Sequence, residues 1–148
     1  EKYSNRIQFV GEFTEIGKET YILTEIKGSD PIRGHVDHET VLVLRDKFGI
    51  TLFTGCSHPG ILNILEAVTK KFPNVFIKAV FGGFHLARLF FKNGKNEYVE
   101  RIGRRMQTYP IMKIYTGHCT SIHAYLILKS VLGEKLEYLA TGMKIDLF

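Results

Sequence analysis

The sequence predicts an α/β fold in which helices cover a central sheet. Two observations support this class. From residue 39 onward, short apolar runs that are typical of strands alternate with longer segments of helical periodicity. Three of the strand-like runs also end in the same kind of corner, in which a glycine is followed within three positions by a histidine. Because the carboxyl ends of such strands meet along one edge of a sheet, this edge is where ligands bind in the class.

Length and composition are those of a globular domain. The 148 residues suffice for a core of their own. Hydrophobic residues make up 45% and charged residues 24% of the chain, which excludes wholesale disorder. The net charge of +5 favours anionic partners. These could be phosphorylated or otherwise anionic small molecules or nucleic acid, or the charge could have no specific partner. Since the basic residues are scattered and no nucleic-acid-binding motif is present, a soluble basic surface is favoured over nucleic-acid binding.

Targeting signals are absent from the sequence. No stretch resembles a signal peptide, and no apolar run approaches the roughly 20 residues of a membrane span. The two cysteines are too few for a disulfide framework. We therefore expect a cytoplasmic protein with no membrane partner. The sequence begins at Glu1 rather than at Met, so we interpret it as part of a longer protein.

The N-terminal quarter is predicted to hold two strands and a loop. Residues 6–13 and 19–26 are rich in β-forming side chains on either side of a glycine turn. Residues 27–38 contain glycine, aspartate and proline without periodicity, which predicts a loop. His35, Asp37 and His38 in this segment are interpreted as a solvated connector, with a metal or substrate contact as the alternative.

The next elements alternate between strands and helices. Residues 39–45 and 50–54 are predicted to form a hairpin around residues 46–49, and their continuous apolar runs indicate strands buried on both faces. Three helices follow, each leading into a strand. The predicted helices begin after Pro59, at the Asn96 cap and at a Thr120 or Ser121 cap, and the strands that follow them cover residues 75–81, 111–115 and 137–140.

His58, His85 and His118 lie at the ends of three successive predicted strands. The intervals between them each leave room for one helix and one strand, so all three can lie at one sheet edge. Imidazole with nearby thiolate or carboxylate suits zinc, manganese or iron, and an open coordination position would let the metal generate hydroxide near neutral pH. The alternative is that each histidine is a polar strand-end residue bonded to backbone. Three histidines at equivalent corners favour a metal site.

Cys56 and Cys119 leave three interpretations open at this stage. They could be metal ligands, a catalytic thiol or small buried side chains. Cys56 could act as a nucleophile with His58 or His118 as its base. A disulfide between the two cysteines is sterically feasible if their strands are neighbours, but a reducing cytosol argues against it.

The corner motifs resemble those of metallo-β-lactamase-fold proteins. Within that superfamily the chain is similar to the 7,8-dihydropterin-6-methyl-4-(β-D-ribofuranosyl)aminobenzene-5′-phosphate synthase branch, many members of which are described only as metal-dependent hydrolases. The resemblance spans roughly residues 37–145. It is carried by the strings Asp37-His38-Glu39, Thr54-Gly55-Cys56-Ser57-His58-Pro59-Gly60-Ile61, Gly82-Gly83-Phe84-His85-Leu86 and Gly117-His118-Cys119-Thr120.

This resemblance implies the C-terminal half of an αββα sandwich, a sheet covered by about three helices with metal at one edge. The superfamily's first metal motif, His-x-His-x-Asp-His, is absent from the sequence. We therefore interpret residues 1–148 as a single domain or part-domain, the C-terminal portion of a longer chain, and expect it to be inactive alone. By the same resemblance, His118 matches the last metal-binding histidine. The corner at Cys56 and His58 matches the position of a bridging aspartate.

The resemblance implies a metal-dependent enzyme. It would either hydrolyse a phosphoester-like substrate or condense a dihydropterin diphosphate with an aminobenzene ribofuranosyl phosphate. Zinc is the expected metal, with manganese, iron or magnesium as alternatives. The expected partners are an anionic substrate and the missing N-terminal half of the fold, and a homo-oligomer is left open. The predicted metal ligands are His58, His118, Cys56 and His85, of which His85 and Cys56 are also the catalytic candidates.

Two other functions remain open from the sequence. The chain could be a non-catalytic binding or assembly domain that retains the corners for structural reasons. It could also be a cysteine-dependent enzyme that works without metal.

Overall fold

The structure is a computed structural model that describes residues 4–30, 34–36, 39–87 and 96–147. Within these ranges the α-helices are α1 (Ile61–Lys71), α2 (Asn96–Met106) and α3 (Ile122–Leu132). The strands are β1 (Phe13–Gly17), β2 (Thr20–Leu23), β3 (Gly28–Asp30), β4 (Gly34–Val36), β5 (Val41–Asp46), β6 (Gly49–Phe53), β7 (Ile77–Gly82), β8 (Ile111–Thr116) and β9 (Leu136–Tyr138). Short 3₁₀ turns cover Ser4–Arg6, His118–Thr120 and Gly133–Lys135.

A seven-stranded sheet in the order β1-β2-β5-β6-β7-β8-β9 forms the centre of the molecule. The strands from β1 to β6 pair antiparallel, whereas β6, β7, β8 and β9 pair parallel. Each parallel connection passes through one helix, as parallel strands require. The carboxyl ends of β6, β7 and β8 therefore lie together at one edge. The predicted α/β class with helices covering a sheet is confirmed.

The three helices lie on one face of the sheet because the parallel crossovers that contain them run in the same direction. On that face a row of mutually paired strand residues is at most 1% exposed: Val43, Leu52, Val80, Ile114 and Leu136. Each helix buries one apolar stripe that belongs to the same core cluster. The stripes are Ile61, Ile64, Leu65 and Val68 in α1, Val99, Ile102 and Met106 in α2, and Ala124, Leu128 and Leu132 in α3.

The opposite face of the sheet carries an aromatic row. The rings of Phe53, Phe81 and Tyr115 stack in sequence, with centroids 5.0 and 4.7 Å apart. On this face Leu44 of β5 is 39% exposed. Thr51 of β6, which pairs with Leu44 on this face, is only 5% exposed. The prediction of burial on both faces therefore holds for β6 and is wrong for β5.

Predicted loops and turns in the second half agree with the structure. The hairpin around residues 46–49 is confirmed by the pairing of Asp46 with Gly49. Ser121, rather than Thr120, caps α3, since its Oγ accepts a hydrogen bond from Ala124 N at 3.3 Å.

No helix of the described ranges is long and apolar enough to cross a membrane.

Two predictions for the N-terminal segment are wrong. Residues 6–12 do not belong to a strand, since β1 begins at Phe13, which aligns with Leu23 of β2. Residues 27–38 are not wholly loop, since β3 and β4 pair as a separate two-stranded ribbon. His35 lies in β4 opposite Ser29. Asp37 and His38 lie outside the described residues.

Candidate metal centre

The corners that follow β6 and β7 are tied together by their backbones. Thr54 N donates to Phe81 O at 2.9 Å. Gly83 N donates to Gly55 O at 2.8 Å. The buried hydroxyl of Ser57 then donates to Gly83 O at 2.6 Å. These bonds hold the loop that carries Cys56 and His58 against the loop that carries His85.

The corner that follows β8 is fastened to the same loop through threonine hydroxyls. Thr116 Oγ1 donates to Gly82 O at 2.8 Å. The Thr120 hydroxyl lies 2.6 Å from Thr116 Oγ1 and accepts a bond from Phe84 N at 2.9 Å. Both threonine side chains are buried. The three corners thus form one hydrogen-bonded unit rather than three independent loops.

Each corner contains a non-glycine residue in the left-handed region of backbone space. The φ angles are 56° for Ser57, 51° for His85 and 49° for His118. Such conformations disfavour most L-residues and persist only where the surrounding structure enforces them. They cluster at functional sites in many proteins, so their coincidence at this edge supports a site there.

Gly82 allows the first two corners to approach closely. Its φ is 151°, a region that residues with a side chain rarely adopt. A Cβ atom there would lie 2.6 Å from the carbonyl oxygen of Thr54. Glycine at this position is therefore required by the packing of the β6 and β7 ends.

Cys56, His118 and Cys119 form a group that could hold a metal ion. One ligand atom from each lies within 4.8 Å of the ligand atoms of the other two. Two thiolates and an imidazole suit zinc, and Zn–S bonds of about 2.3 Å place tetrahedral sulfur ligands roughly 3.8 Å apart. The donor set is therefore chemically suited to a divalent metal such as zinc. His118 is exposed and both cysteines are half-buried, which leaves the centre accessible.

Cys119 is held by its surroundings in a way that favours the neutral thiol. Burial is the largest cause that raises its pKa, and the neighbouring Cys56 thiol adds to it, so the pKa is about 11. His85 N donates to Cys119 Sγ at 3.3 Å and opposes the shift. The sulfur itself donates to Cys56 O at 3.6 Å. Without a cation, Cys119 is therefore a poor nucleophile at neutral pH.

His58 and His85 form a second group beside the first corner. Their rings meet edge to face with centroids 4.6 Å apart. Both ring nitrogens of His85 are shielded from solvent. His58 Nδ1 lies 3.1 Å from Glu39 Oε2. The two imidazole rings are thus in direct contact.

The predicted site residues fall into these two groups. Cys56 and His118 meet as expected, but the third donor that lies with them is Cys119. His58 and His85 lie together in the second group. Sequence reasoning did not single out Glu39, because an acidic residue at the start of a strand is typical of a solvated position. The only signal was its place in the Asp37-His38-Glu39 string.

Comparison with known proteins gives two curated relatives from Methanocaldococcus jannaschii. One is a 7,8-dihydropterin-6-methyl-4-(β-D-ribofuranosyl)-aminobenzene-5′-phosphate synthase, 29% identical over 125 residues that cover 84% of this chain and 41% of the relative. The other is an uncharacterised protein, 36% identical over 101 residues that cover 67% of this chain and 34% of the relative. The chain thus spans less than half the length of these relatives. No family model matches it.

Among solved structures the chain is similar to Tm1679, described as a metal-dependent hydrolase of the β-lactamase superfamily. The TM-score is 0.77 at 29% identity, and the match covers 93% of this chain and 57% of Tm1679. The resemblance to the metallo-β-lactamase superfamily is therefore confirmed, as is the predicted fold class. Within the superfamily, the resemblance to the dihydropterin-phosphate synthase branch is confirmed as well. The chain is a metallo-β-lactamase-fold protein related to enzymes.

Proposed function

We propose that this chain is the C-terminal portion of a metal-dependent enzyme that acts on a phosphorylated small molecule. The observation that carries the proposal is the convergence of Cys56, His118 and Cys119 at the sheet edge, with ligand atoms within 4.8 Å of one another. The net charge of +5 suits an anionic substrate. The named synthase relative and the metal-dependent hydrolase Tm1679 support an enzyme of this kind.

In this proposal Cys56, Cys119 and His118 hold a zinc ion. When bound, the ion would act as a Lewis acid that polarises a phosphoryl oxygen and neutralises developing negative charge. The thiols lose their protons to bind it. The cluster described by the structure supports these three residues as one ligand set, and the predicted ligands His58 and His85 would contribute from the neighbouring group.

His58 and His85 would handle protons and orient substrate beside the ion. His58 Nδ1 lies 3.1 Å from Glu39 Oε2. If Nδ1 donates to this carboxylate, the other ring nitrogen of His58 carries the lone pair. That nitrogen can take a proton or complete the coordination of the metal. His85 packs edge to face against His58 and fixes the plane of its ring from one side.

Two reactions compete within this proposal. The synthase relative favours a condensation, and we propose that diphosphate departs from a dihydropterin substrate in that reaction. Tm1679, described as a metal-dependent hydrolase, favours hydrolysis instead, and we propose a phosphoester-like substrate for that reaction. Supplying both condensation substrates and measuring the condensed product against release of inorganic phosphate separates the two. Because the chain spans 41% of the synthase, we propose that turnover also requires the rest of the fold.

Metal content tests the proposal directly. We expect the purified protein to bind zinc, and Cys56→Ser, Cys119→Ser and His118→Ala to lose most of it. His123→Ala is the matched control, since His123 is an exposed histidine of α3 outside the cluster. Elemental analysis after dialysis against zinc gives the occupancy. Equal occupancy in wild type and in all three site variants would overturn the proposal and favour a non-catalytic binding domain.

A cysteine-dependent reaction without metal is distinguished by the same variants. If Cys56→Ser abolishes turnover in protein freed of metal by a chelator, Cys56 is a nucleophile rather than a ligand.

A further inference from the structure

We propose that Glu39 is a positioning residue that holds His58 in one orientation and one tautomer at the candidate metal centre. Glu39 lies two residues before β5, and its side chain is only 8% exposed. It reaches the loop after β6, 19 residues further along the chain, and accepts hydrogen bonds from that loop. This proposal rests on the proposed function for its effect on metal, but the geometry at Glu39 is independent of it.

The Glu39 carboxylate accepts from donors at both of its oxygens. Oε1 accepts from Ser57 N at 2.9 Å and from Thr54 Oγ1 at 3.2 Å. Oε2 accepts from His58 N at 3.3 Å and lies 3.1 Å from His58 Nδ1. Burying a carboxylate is costly unless hydrogen-bond donors surround it. The four contacts from one loop therefore hold the Glu39 side chain in a defined position.

Gly55 provides the space for this arrangement. A Cβ atom at Gly55 would lie 3.2 Å from Glu39 Oε1, closer than most side-chain contacts allow. The absence of a side chain there lets the carboxylate lie directly against the loop.

The contact with Glu39 defines where His58 carries its proton. An ionised carboxylate can only accept, so Nδ1 of His58 is the protonated nitrogen. Nε2 then holds the lone pair, which can bind a metal or accept a proton. Carboxylate–histidine pairs of this kind fix the ring orientation and the tautomer at metal centres, and losing the carboxylate typically weakens metal binding by about 10–100-fold.

Glutamine cannot replace Glu39 although its shape is the same. An amide has one oxygen, whereas both ends of the carboxylate face donors. If the amide oxygen keeps its bond to Ser57 N, the NH₂ group faces His58 Nδ1, which must then become an acceptor. His58 would shift its proton to Nε2 and lose the lone pair there.

The experiment measures the tautomer of His58 by ¹⁵N–¹H correlation NMR of the imidazole rings in metal-free protein at mildly alkaline pH. We expect His58 in the wild-type protein to be protonated at Nδ1. Glu39→Gln should move the proton toward Nε2 and weaken zinc binding by about 10–100-fold. Zinc affinity is measured by competition with a chromophoric chelator. Glu100→Gln is the matched control, because Glu100 pairs with Arg104 on the surface of α2, and it should change neither quantity.

The outcomes separate this proposal from the proposed function. A wild-type His58 protonated at Nε2 would overturn the role of Glu39, and that measurement requires no variant to fold. A folded Glu39→Gln protein with an unchanged tautomer and unchanged zinc affinity would also overturn it. If the tautomer depends on Glu39 but the wild type binds no zinc, the positioning of His58 stands and the metal proposal fails.

Discussion

The sulfur of Cys119 occupies the space that a side chain on Gly83 would fill. A Cβ atom on Gly83 would lie 2.5 Å from Cys119 Sγ, far inside van der Waals contact. Because Gly83 leaves this space open, the Cys119 thiol can lie next to the corner after β6, where it donates to the carbonyl oxygen of Cys56 at 3.6 Å. The close approach of the β7 end to the corner after β8 therefore places Cys119 beside Cys56 and His118 in the cluster.

Gly83→Ala should displace Cys119 and weaken zinc binding. Overpacking of this kind costs about 1–3 kcal/mol, so the free energy of unfolding should fall as well. Urea unfolding and elemental analysis check the two effects. Gly11→Ala is the matched control, because a Cβ atom there meets nothing within 4 Å. A Gly83→Ala protein with wild-type stability and zinc content would contradict the geometry.

The ion pair between Lys78 and Asp46 should make the free energy of unfolding depend on pH. Lys78 Nζ lies 2.5 Å from Asp46 Oδ2, and the lysine side chain is only 9% exposed. The hydrogen bond from Lys78 is the largest cause that lowers the pKa of Asp46, followed by the one from Phe48 N. A carboxyl with a lowered pKa in the folded state stabilises the protein above its unfolded pKa, and this contribution is lost as pH falls through the folded value.

Asp46→Asn should therefore lower the free energy of unfolding at neutral pH. The difference from wild type should shrink as the pH falls below about 4, where the unfolded carboxyl takes up its proton. Urea unfolding across this pH range gives the comparison. Asp146→Asn, which alters an 85% exposed residue, should match wild type throughout. A pH-independent deficit in Asp46→Asn would show that the carboxylate acts through something other than its charge.

Zinc binding should release protons because the thiols must ionise. The pKa of Cys119 is about 11 in the metal-free protein, so this thiol is protonated at every pH between 6 and 9. Each proton released raises the apparent affinity by about tenfold per pH unit. Calorimetry in buffers of different ionisation enthalpy counts the protons released per zinc ion bound. At zinc concentrations high enough to saturate the weakened site, Cys119→Ser should lower this count by one. An unchanged count would exclude Cys119 as a thiolate ligand.

Buried leucines of the helix layer should contribute far more to the free energy of unfolding than exposed ones. Leu65 is fully buried, so Leu65→Ala should cost about 2–5 kcal/mol through lost transfer energy and a residual cavity. Leu126→Ala in α3 removes the same atoms from a side chain that is 59% exposed, and it should cost less than about 0.5 kcal/mol. Chemical unfolding of both variants provides the measurement. Similar losses in the two would contradict the placement of the core.

Local patterns were sufficient to predict the second half of the fold. The stripe that begins at Ile61, the turn at residues 46–49 and the cap at Ser121 each depend on neighbours a few positions away. The alternation of strands and helices then requires parallel pairing, which brings the three corners to one edge. The sequence by itself therefore determined the class of fold and the edge at which Cys56, His58, His85 and His118 lie.

Only the tertiary structure decided how those residues group. A strand forms only where a partner strand is available, which is why β1 begins at Phe13, opposite Leu23, rather than at residue 6. Cys119 joins Cys56 and His118 because Gly83 leaves room for its sulfur. Glu39 reaches His58 across 19 residues because β5 and β6 pair as a hairpin. These contacts join positions that are distant in sequence. Hydrophobic periodicity reflects only local geometry, so it does not predict them.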